Sequence, residues 1–268
     1  MRSYRKRLIA ATAMIGVLTM SGYAVAQEIL GPASGTTVRQ TVKAKVQPNV
    51  LPKNKKTPAK LTVRLTVGTE AGAARPPRMA TTTVYLDKGA TIFTKGLATC
   101  APNRLEATDE KAARRACTPA IVGIGNANAT VAFPDQAPIP APAGVTVFNG
   151  TPAGKRPVFL IHAYTTVPVP TTFIVPGVYQ RINQGPYGWR LHFRVPFIAG
   201  GSGSLRMFQT RVGKTYRFRG RRASYGYGTC RTGRLRIKLD FTYQTIGEDS
   251  RPTGTLRNSQ VAQQRCRG

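Results

Sequence analysis

Apolar and polar residues alternate with a period of two in many short stretches of the chain. Leu61, Val63 and Leu65 alternate with Thr62 and Arg64, which places the apolar side chains on one face of a β-strand. Similar alternation or short apolar runs predict further strands near residues 80–86, 90–94, 120–133, 145–148, 158–165, 171–175, 189–195, 205–212, 215–219 and 235–242.

Glycine and proline separate these stretches, with 27 glycines and 20 prolines in the chain. Segments such as GGSGS and GTPAGKRP are typical of turns between short strands. The pattern predicts an all-β, mainly antiparallel fold, either a β-sandwich or a partly open barrel. We expect a single β domain over 61–268 with a Pro-rich crossover at 134–144, after a Pro/Lys-rich tether at 27–60 that has room for one short strand.

One segment, CAPNRLEATDEKAARRAC at residues 100–117, favours a short helix instead. Asn103 followed by Glu106 matches an N-cap with its reciprocal acid. Alternatively, Thr108 caps a helix that has acids in its first turn and arginines in its last, which suits the helix dipole. In either arrangement the acids of this segment have a structural role at the start of the helix, so their presence does not by itself indicate catalysis.

The first 26 residues have the features of a secretory signal peptide. A basic start precedes an apolar run, and Ala24-Val25-Ala26 fits the small-x-small cleavage rule. We therefore expect a Sec-type signal at 1–26, cleavage near Ala26, and a secreted or cell-envelope protein; an uncleaved anchor is the alternative. No later stretch approaches the ~20 apolar residues that a membrane helix needs.

Export changes the interpretation of the four cysteines. In an oxidising compartment they favour two disulfides, for which three pairings are possible. We predict the local pairing, and closing the shorter of its two loops stabilises the fold by roughly 3 kcal/mol. A zinc site is the rival, but the chain has no CxxC motif and only two histidines. The predicted disulfides are Cys100–Cys117 and Cys230–Cys266.

The chain is strongly basic, with 40 Lys and Arg against 10 Asp and Glu, a formal net charge of +30. Four of the basic residues and none of the acids lie in the predicted signal, so the mature chain carries 36 − 10 = +26. Such a charge favours an anionic cell-surface or extracellular polymer as partner. The chain has no dedicated nucleic-acid motif, and the charge is alternatively an adaptation for solubility.

Basic residues occupy the polar face of three predicted strands, in WRLHFRV, TYRFRG and RLRIKLDF. If these strands share a sheet, their basic rows form one cationic surface, and arginine suits phosphate or carboxylate groups. Two tyrosines in the Gly-rich SYGYG segment are candidates for stacking on a sugar or base. The predicted polyanion-binding residues are Arg190, Arg194, Arg217, Arg219, Arg234, Arg236, Lys238, Tyr225 and Tyr227.

Motifs for catalysis are weak or missing in the sequence. GGSGS fails the GxSxG pattern of hydrolases because Ser204 stands in place of the last glycine. His162 and His192 are too few for a metal site without nearby carboxylates. GIGNAN, at 123–128, lacks the helix that a dinucleotide loop requires, so its glycines predict a bulge or a close backbone approach. We predict no catalytic residue, metal or cofactor.

Several motifs resemble those of a group of exported proteins of uncharacterised function from high-GC actinobacteria. The resemblance spans most of the mature chain and implies export and a shared β fold, without any assigned activity. The motifs are LPKNKKTPAKLTVRL, PPRMATTTVYLDKGA, TPAIVGIGNA, VFNGTPAG, YGWRLHFRVPFIAGGSGSL and ASYGYGTC.

The sequence thus predicts a non-enzymatic extracellular or envelope protein that binds anionic polymers through an arginine-rich sheet face. Two alternatives stay open: a secreted hydrolase acting on a cell-wall or polysaccharide substrate, and a purely structural extracellular module. The uniform sign of the charge favours the first interpretation.

Overall fold

The computed structural model describes residues 27–30, 37–69, 75–246 and 251–267. The predicted signal peptide at 1–26 lies outside these residues. No helix among the described residues is long and apolar enough to cross a membrane.

The predicted all-β class is confirmed. The described part of the chain contains one short α-helix, α1 (Glu110–Ala116), and 3₁₀ turns at Pro102–Arg104, Thr118–Ala120 and Ala199–Gly201. The strands are β1 (Gln27–Leu30), β2 (Thr37–Gln47), β3 (Thr57–Pro58), β4 (Lys60–Thr69), β5 (Arg78–Asp87), β6 (Ala90–Ile92), β7 (Ile121–Val131), β8 (Ile139–Ala153), β9 (Arg156–Thr165), β10 (Thr171–Gln184), β11 (Tyr187–Arg194), β12 (Gly203–Val212), β13 (Thr215–Phe218), β14 (Arg221–Ser224), β15 (Gly226–Gly228), β16 (Arg234–Ile246) and β17 (Pro252–Arg265).

Twelve strands form one antiparallel sheet in the order β1-β2-β4-β12-β7-β8-β9-β10-β11-β5-β16-β17. The sheet curls until β17 lies beside β2, so that it forms a nearly closed barrel. At this seam the side-chain amide of Gln264 takes the place of backbone pairing. It donates to the carbonyl oxygen of Val46 at 2.9 Å and accepts from the Val46 N–H at 2.6 Å. The Leu51 N–H donates to the Arg267 carbonyl at 2.7 Å, which extends the contact beyond the strands.

Strand alternation separates the barrel interior from its outer surface. On β11, Leu191 and Phe193 are buried inside, whereas Arg190, His192 and Arg194 are exposed outside. The same alternation holds on β16, where the apolar row is buried and Arg234 is exposed. The main hydrophobic core therefore sits within the barrel.

The two ends of the barrel are built differently. The upper end, where Gln47 pairs with Lys60, carries a small sheet in the order β3-β15-β6 and the separate hairpin of β13 and β14. The predicted disulfide Cys230–Cys266 is present and links the segment after β15 to the end of β17. The lower end is the one where Val38 pairs with Thr69.

The helical segment packs on the outside of the barrel. Leu105 and Ala113 join Phe148 and Leu160, which point outward from β8 and β9, in a second hydrophobic cluster. Gly144 of β8 permits this close approach, because a Cβ there would lie 1.9 Å from the Glu110 carboxylate. The predicted disulfide Cys100–Cys117 bounds the segment.

The helix cap differs from both sequence predictions. Asp109 is the N-cap, and its carboxylate accepts the Ala112 N–H at 2.6 Å. Thr108 instead donates its hydroxyl to the Leu105 carbonyl at 2.6 Å, and Asn103 lies in the preceding 3₁₀ turn. Asn103, Thr108 and Asp109 can all act as caps by residue type, and the folded segment uses Asp109.

Two regions contain strand that was not predicted, and a third contains the short strand that was expected in the tether. β17 was not predicted, because its buried row includes the polar Asn258 and Gln260. The strand expected within the tether is present as β2, which is 11 residues long and belongs to the barrel sheet. β8 begins inside the Pro-rich 134–144 segment, where Pro140 and Pro142 face outward. The close backbone approach predicted for GIGNAN is confirmed, since a Cβ at Gly125 would lie 2.0 Å from the Gln209 carbonyl oxygen.

Candidate functional site

The interior of the barrel contains a partly open apolar cavity of about 260 Å³. Its lining comes from the inward rows of β4, β5, β7 to β12 and β16, and none of the described lining residues is charged. A polar group needs hydrogen-bonding partners when it leaves water, so this lining disfavours water and ions as occupants.

Alanines on three adjacent strands make the room for this cavity. Ala127 pairs with Ala143 and Ala129 pairs with Ala141 across β7 and β8, and Ala163 continues the row on β9. All five line the cavity. Leucine or phenylalanine at these positions would extend into the space that the alanines leave, so the composition of this wall determines the volume.

The wall formed by β10, β11, β5 and β16 carries large side chains instead. Phe193 and Phe241 line the cavity from β11 and β16. Phe159 of β9 makes edge contacts with Phe193 and Tyr179, with ring centroids 5.8 and 6.2 Å apart. These edge contacts between aromatic rings stabilise the wall beside the open volume.

Tyr225 closes part of the upper end. Its side chain is 1% exposed and lines the cavity beside Ile92 and Gly226. Its backbone is fixed on both sides, since Phe93 N–H donates to its carbonyl at 2.9 Å and its own N–H donates to the Lys214 carbonyl at 2.8 Å.

The segment of residues 195–202, called the strap below, forms part of the lower end of the barrel. Two arginines donate hydrogen bonds to its backbone. Arg78 donates to the Val195 carbonyl at 2.8 Å and lies over the Phe197 ring at 3.8 Å. Arg75 donates to the Gly201 carbonyl at 2.7 Å. Burial lowers the pKa of both guanidinium groups. The strap residues Val195, Pro196 and Ile198 line the cavity.

The cavity wall contains few polar atoms. Tyr225 donates its hydroxyl to that of Tyr179 at 3.2 Å, and burial raises the pKa of both phenols. The Thr210 hydroxyl donates to the Ile124 carbonyl at 3.3 Å. Thr165 hydrogen-bonds to Val167. These side chains are therefore neutral, and most of their hydrogen-bonding capacity is used within the wall.

Two of the three predicted basic rows share one outer face. β11 and β16 lie on either side of β5, so that Arg190 and Lys238 both pair with Tyr85. The intervening strand separates like charges by about two strand spacings, roughly 10 Å. The Lys238 ammonium also lies 3.1 Å from the Asp240 carboxylate, and Arg190 donates to the Gln180 side chain at 3.0 Å. The predicted residues on this face are Arg190, Arg194, Arg234, Arg236 and Lys238.

The third basic row lies elsewhere. Arg217 and Arg219 belong to the hairpin of β13 and β14, which is separate from the barrel sheet, so their row does not merge with the other two. Arg217 pairs with Arg222, and Phe218 pairs with Arg221. All four hairpin arginines are exposed. The hairpin forms a second, smaller basic surface.

The two candidate stacking tyrosines are not together on the surface. Tyr225 is buried in the barrel and is not available to a polymer outside it. Tyr227 is half-buried, accepts the Ser224 N–H at 2.8 Å and contacts the Phe93 ring with centroids 6.3 Å apart. Neither ring presents an open face beside the basic rows of β11 and β16.

The histidines also lie apart. His162 is buried on the outer side of β9 beneath the helical segment, with Nε2 3.1 Å from the Thr108 carbonyl oxygen. His192 is exposed on β11, with Nδ1 2.9 Å from the Thr83 hydroxyl. β10 separates the two strands. Within the described residues, no group of three His, Cys, Asp or Glu side chains could hold a metal ion.

The cavity is the feature that the sequence analysis missed. The pattern that could have indicated it is a row of small residues at inward positions of neighbouring strands. Ala127 and Ala129 alternate in NANAT, and Ala141 and Ala143 alternate in APAG. Recognising the row requires the β7–β8 register, which the sequence does not provide.

Comparison of the chain with protein-family models, with curated proteins and with solved structures finds no match.

Proposed function

We propose that the protein is a non-enzymatic, exported binder of a small apolar molecule, which it holds inside the barrel. The uncharged cavity of about 260 Å³ is the observation that supports the proposal. Apolar space that stays empty inside a protein costs stability, and an apolar molecule that fills it removes much of that cost.

The cavity volume limits the size of the occupant. An apolar protein cavity of about 150 Å³ is large enough to bind benzene, and this cavity is larger. The cavity therefore has room for an apolar molecule larger than one benzene ring. Two disulfides support an oxidising compartment, which agrees with the export predicted from residues 1–26.

Binding of N-phenyl-1-naphthylamine, a neutral apolar fluorophore, tests this proposal. We expect saturable binding by the mature protein and a rise in its melting temperature. Ala127→Leu and Ala143→Leu fill the cavity and should each weaken binding about tenfold or more. Ala137→Leu makes the same chemical change at an exposed position between β7 and β8 and should bind as the native chain does. Unchanged binding in both cavity variants would refute the proposal.

A second candidate function, which the first does not exclude, is attachment to an anionic polymer through the outer surface. The exposed arginines of the β13–β14 hairpin and the basic rows on either side of β5 support it. These surfaces are outside the barrel, so a polymer and an interior ligand could bind at the same time.

Titration with purified wall teichoic acid and with neutral dextran, across a salt series, tests the second function. We expect binding to the teichoic acid alone, with steep loss as salt rises. Replacing Arg190, Arg194 and Arg236 with Glu should weaken binding to the teichoic acid and reduce its dependence on salt concentration. The matched control replaces Lys53, Lys55 and Lys56 with Glu, since these residues are exposed and lie away from this face. Equal losses in both triple variants would make net charge, rather than the face, the cause.

A further inference from the structure

The polar atoms of the cavity wall contain information about the occupant. Five residues with hydroxyl groups line the cavity: Thr82, Thr165, Thr210, Tyr179 and Tyr225. Thr165 and Thr210 hydrogen-bond to backbone groups of the wall itself. The hydroxyl of Thr82 is buried and has no partner among the described residues.

The two tyrosines leave one hydrogen without an acceptor. Each phenol carries one hydrogen, and the two oxygens lie 3.2 Å apart. Whichever phenol donates to the other, the hydrogen of the second has no acceptor among the described residues of the wall. An unused buried donor costs as much as a lost hydrogen bond. The pair is thus a hydrogen-bond donor within an otherwise apolar cavity.

Tyr179 and Thr82 are contributed by nearby strands. Tyr179 pairs with Leu191, and Leu191 pairs with Val84, which lies two residues from Thr82 on the same face of β5. Thr82 and Tyr179 therefore both belong to the wall of β10, β11 and β5, and Tyr225 reaches this wall at its hydrogen bond to Tyr179. An occupant with an oxygen against this wall satisfies a donor that the protein leaves unpaired.

The charge of the occupant follows from the lining. No lysine or arginine is among the described lining residues, so a carboxylate or phosphate in the cavity would be a buried charge without a counter-ion. Burial raises the pKa of both phenols, so the pair stays protonated and can donate throughout the neutral range. A neutral molecule with an accepting oxygen fits both conditions.

We propose that the occupant is a neutral apolar molecule of the ketone, aldehyde or ester class, whose carbonyl oxygen accepts the free hydrogen of the Tyr179–Tyr225 pair. This inference rests on the proposed function and names the ligand class for the same cavity. Thr82 is the second hydroxyl available to the bound molecule.

The test compares 2-nonanone with n-nonane, which have similar shapes but differ in the carbonyl group. Their dissociation constants are measured by displacement of N-phenyl-1-naphthylamine from the native chain and from Tyr179→Phe/Tyr225→Phe. We expect the double variant to bind 2-nonanone about 3- to 10-fold more weakly and to bind n-nonane as tightly as the native chain or more tightly. Thr210→Val is the control, because it removes a cavity hydroxyl that is already hydrogen-bonded within the wall. It should leave the ratio of the dissociation constants of 2-nonanone and n-nonane unchanged.

Infrared spectroscopy of carbonyl-labelled 2-nonanone gives a readout that a change in packing alone does not produce. The carbonyl band should shift to lower frequency when the ketone binds the native chain, and that shift should be lost in the double variant. If both ligands bind and the double variant changes their dissociation constants by the same factor, the carbonyl inference is wrong and the cavity proposal stands. If neither ligand nor the fluorophore binds, both proposals are wrong.

Discussion

His162 is a strand histidine whose side chain the fold buries completely. The sequence places it on a strand that alternates, and the exposed His192 occupies a similar position on β11. In the folded chain, the helical segment covers His162 and its Nε2 bonds to Thr108. Its Nδ1 is buried without a partner among the described residues. Protonation would put a hydrogen on Nδ1 where no acceptor is available, so the neutral ring is favoured.

Acid should therefore destabilise the protein through His162. Burial is the main cause that lowers the pKa of His162, and the nearby Thr108 carbonyl, Glu110 and Asp109 oppose it only in part. Because the folded pKa lies below the unfolded value near 6.5, the stabilisation is complete above about pH 6.5. It declines as pH falls toward the folded pKa, by at most about 1.4 kcal/mol per pH unit.

Urea unfolding of the native chain and of His162→Gln, measured from neutral to acidic pH, checks this expectation. The variant should lose stability less steeply with acid than the native chain does. His192→Gln is the matched control at an exposed position and should keep the native slope. A His162→Gln curve parallel to the native one would contradict the assignment.

At the scale of elements, separate pieces determine what each face of the barrel presents. The segment from Cys100 to Cys117 covers the outer side of β8 and β9, where Arg114 donates to Thr146 at 2.9 Å and pairs with Glu110. β5 separates two basic strands with a row that includes Thr83 and Tyr85. That arrangement keeps Arg190 and Lys238 from lying directly opposite each other. The outer pair Arg234 and Arg265 has no such spacer between its strands.

At the scale of the whole molecule, the barrel depends on its seam. β2 and β17 are not joined by a continuous backbone ladder, and the Gln264 side chain bonds to both the N–H and the C=O of Val46. The Tyr243 hydroxyl donates to the Gln40 side chain and adds a contact farther along the seam. Gln264 is thus a polar residue of the inward row of β17 whose hydrogen bonds lie at the seam.

Gln264→Leu should open the seam locally. The change removes both hydrogen bonds to Val46 and leaves its backbone groups half-buried, which costs about 1–3 kcal/mol. Urea unfolding measures the loss, and hydrogen exchange at the Val46 amide should become faster. Gln263→Leu makes the same change at the adjacent exposed position and should have little effect. Equal losses in the two variants would show that the seam bonds contribute nothing measurable.

Much of the fold could be predicted from the sequence because period-two alternation depends only on local spacing. It located β4, β5, β11, β12 and β16 closely, and it separated Leu239 inside from Lys238 outside. It failed for β17, where Asn258 and Gln260 are buried polar residues. The two disulfides were also predicted, since local pairing closes the shorter loops. Export, the resemblance to an actinobacterial group and the absence of catalysis remain predictions.

The sequence by itself determined the strand-rich class, the excess of basic charge and the side of each strand that is apolar. Only the tertiary structure decided which strands are neighbours, because pairing depends on register between distant segments. That pairing set Ala127 against Ala143, placed Tyr225 beside Tyr179 inside the barrel, and put the hairpin arginines apart from those of β11 and β16. The cavity exists because small side chains from separate strands meet on one wall, and local spacing carries no information about that meeting.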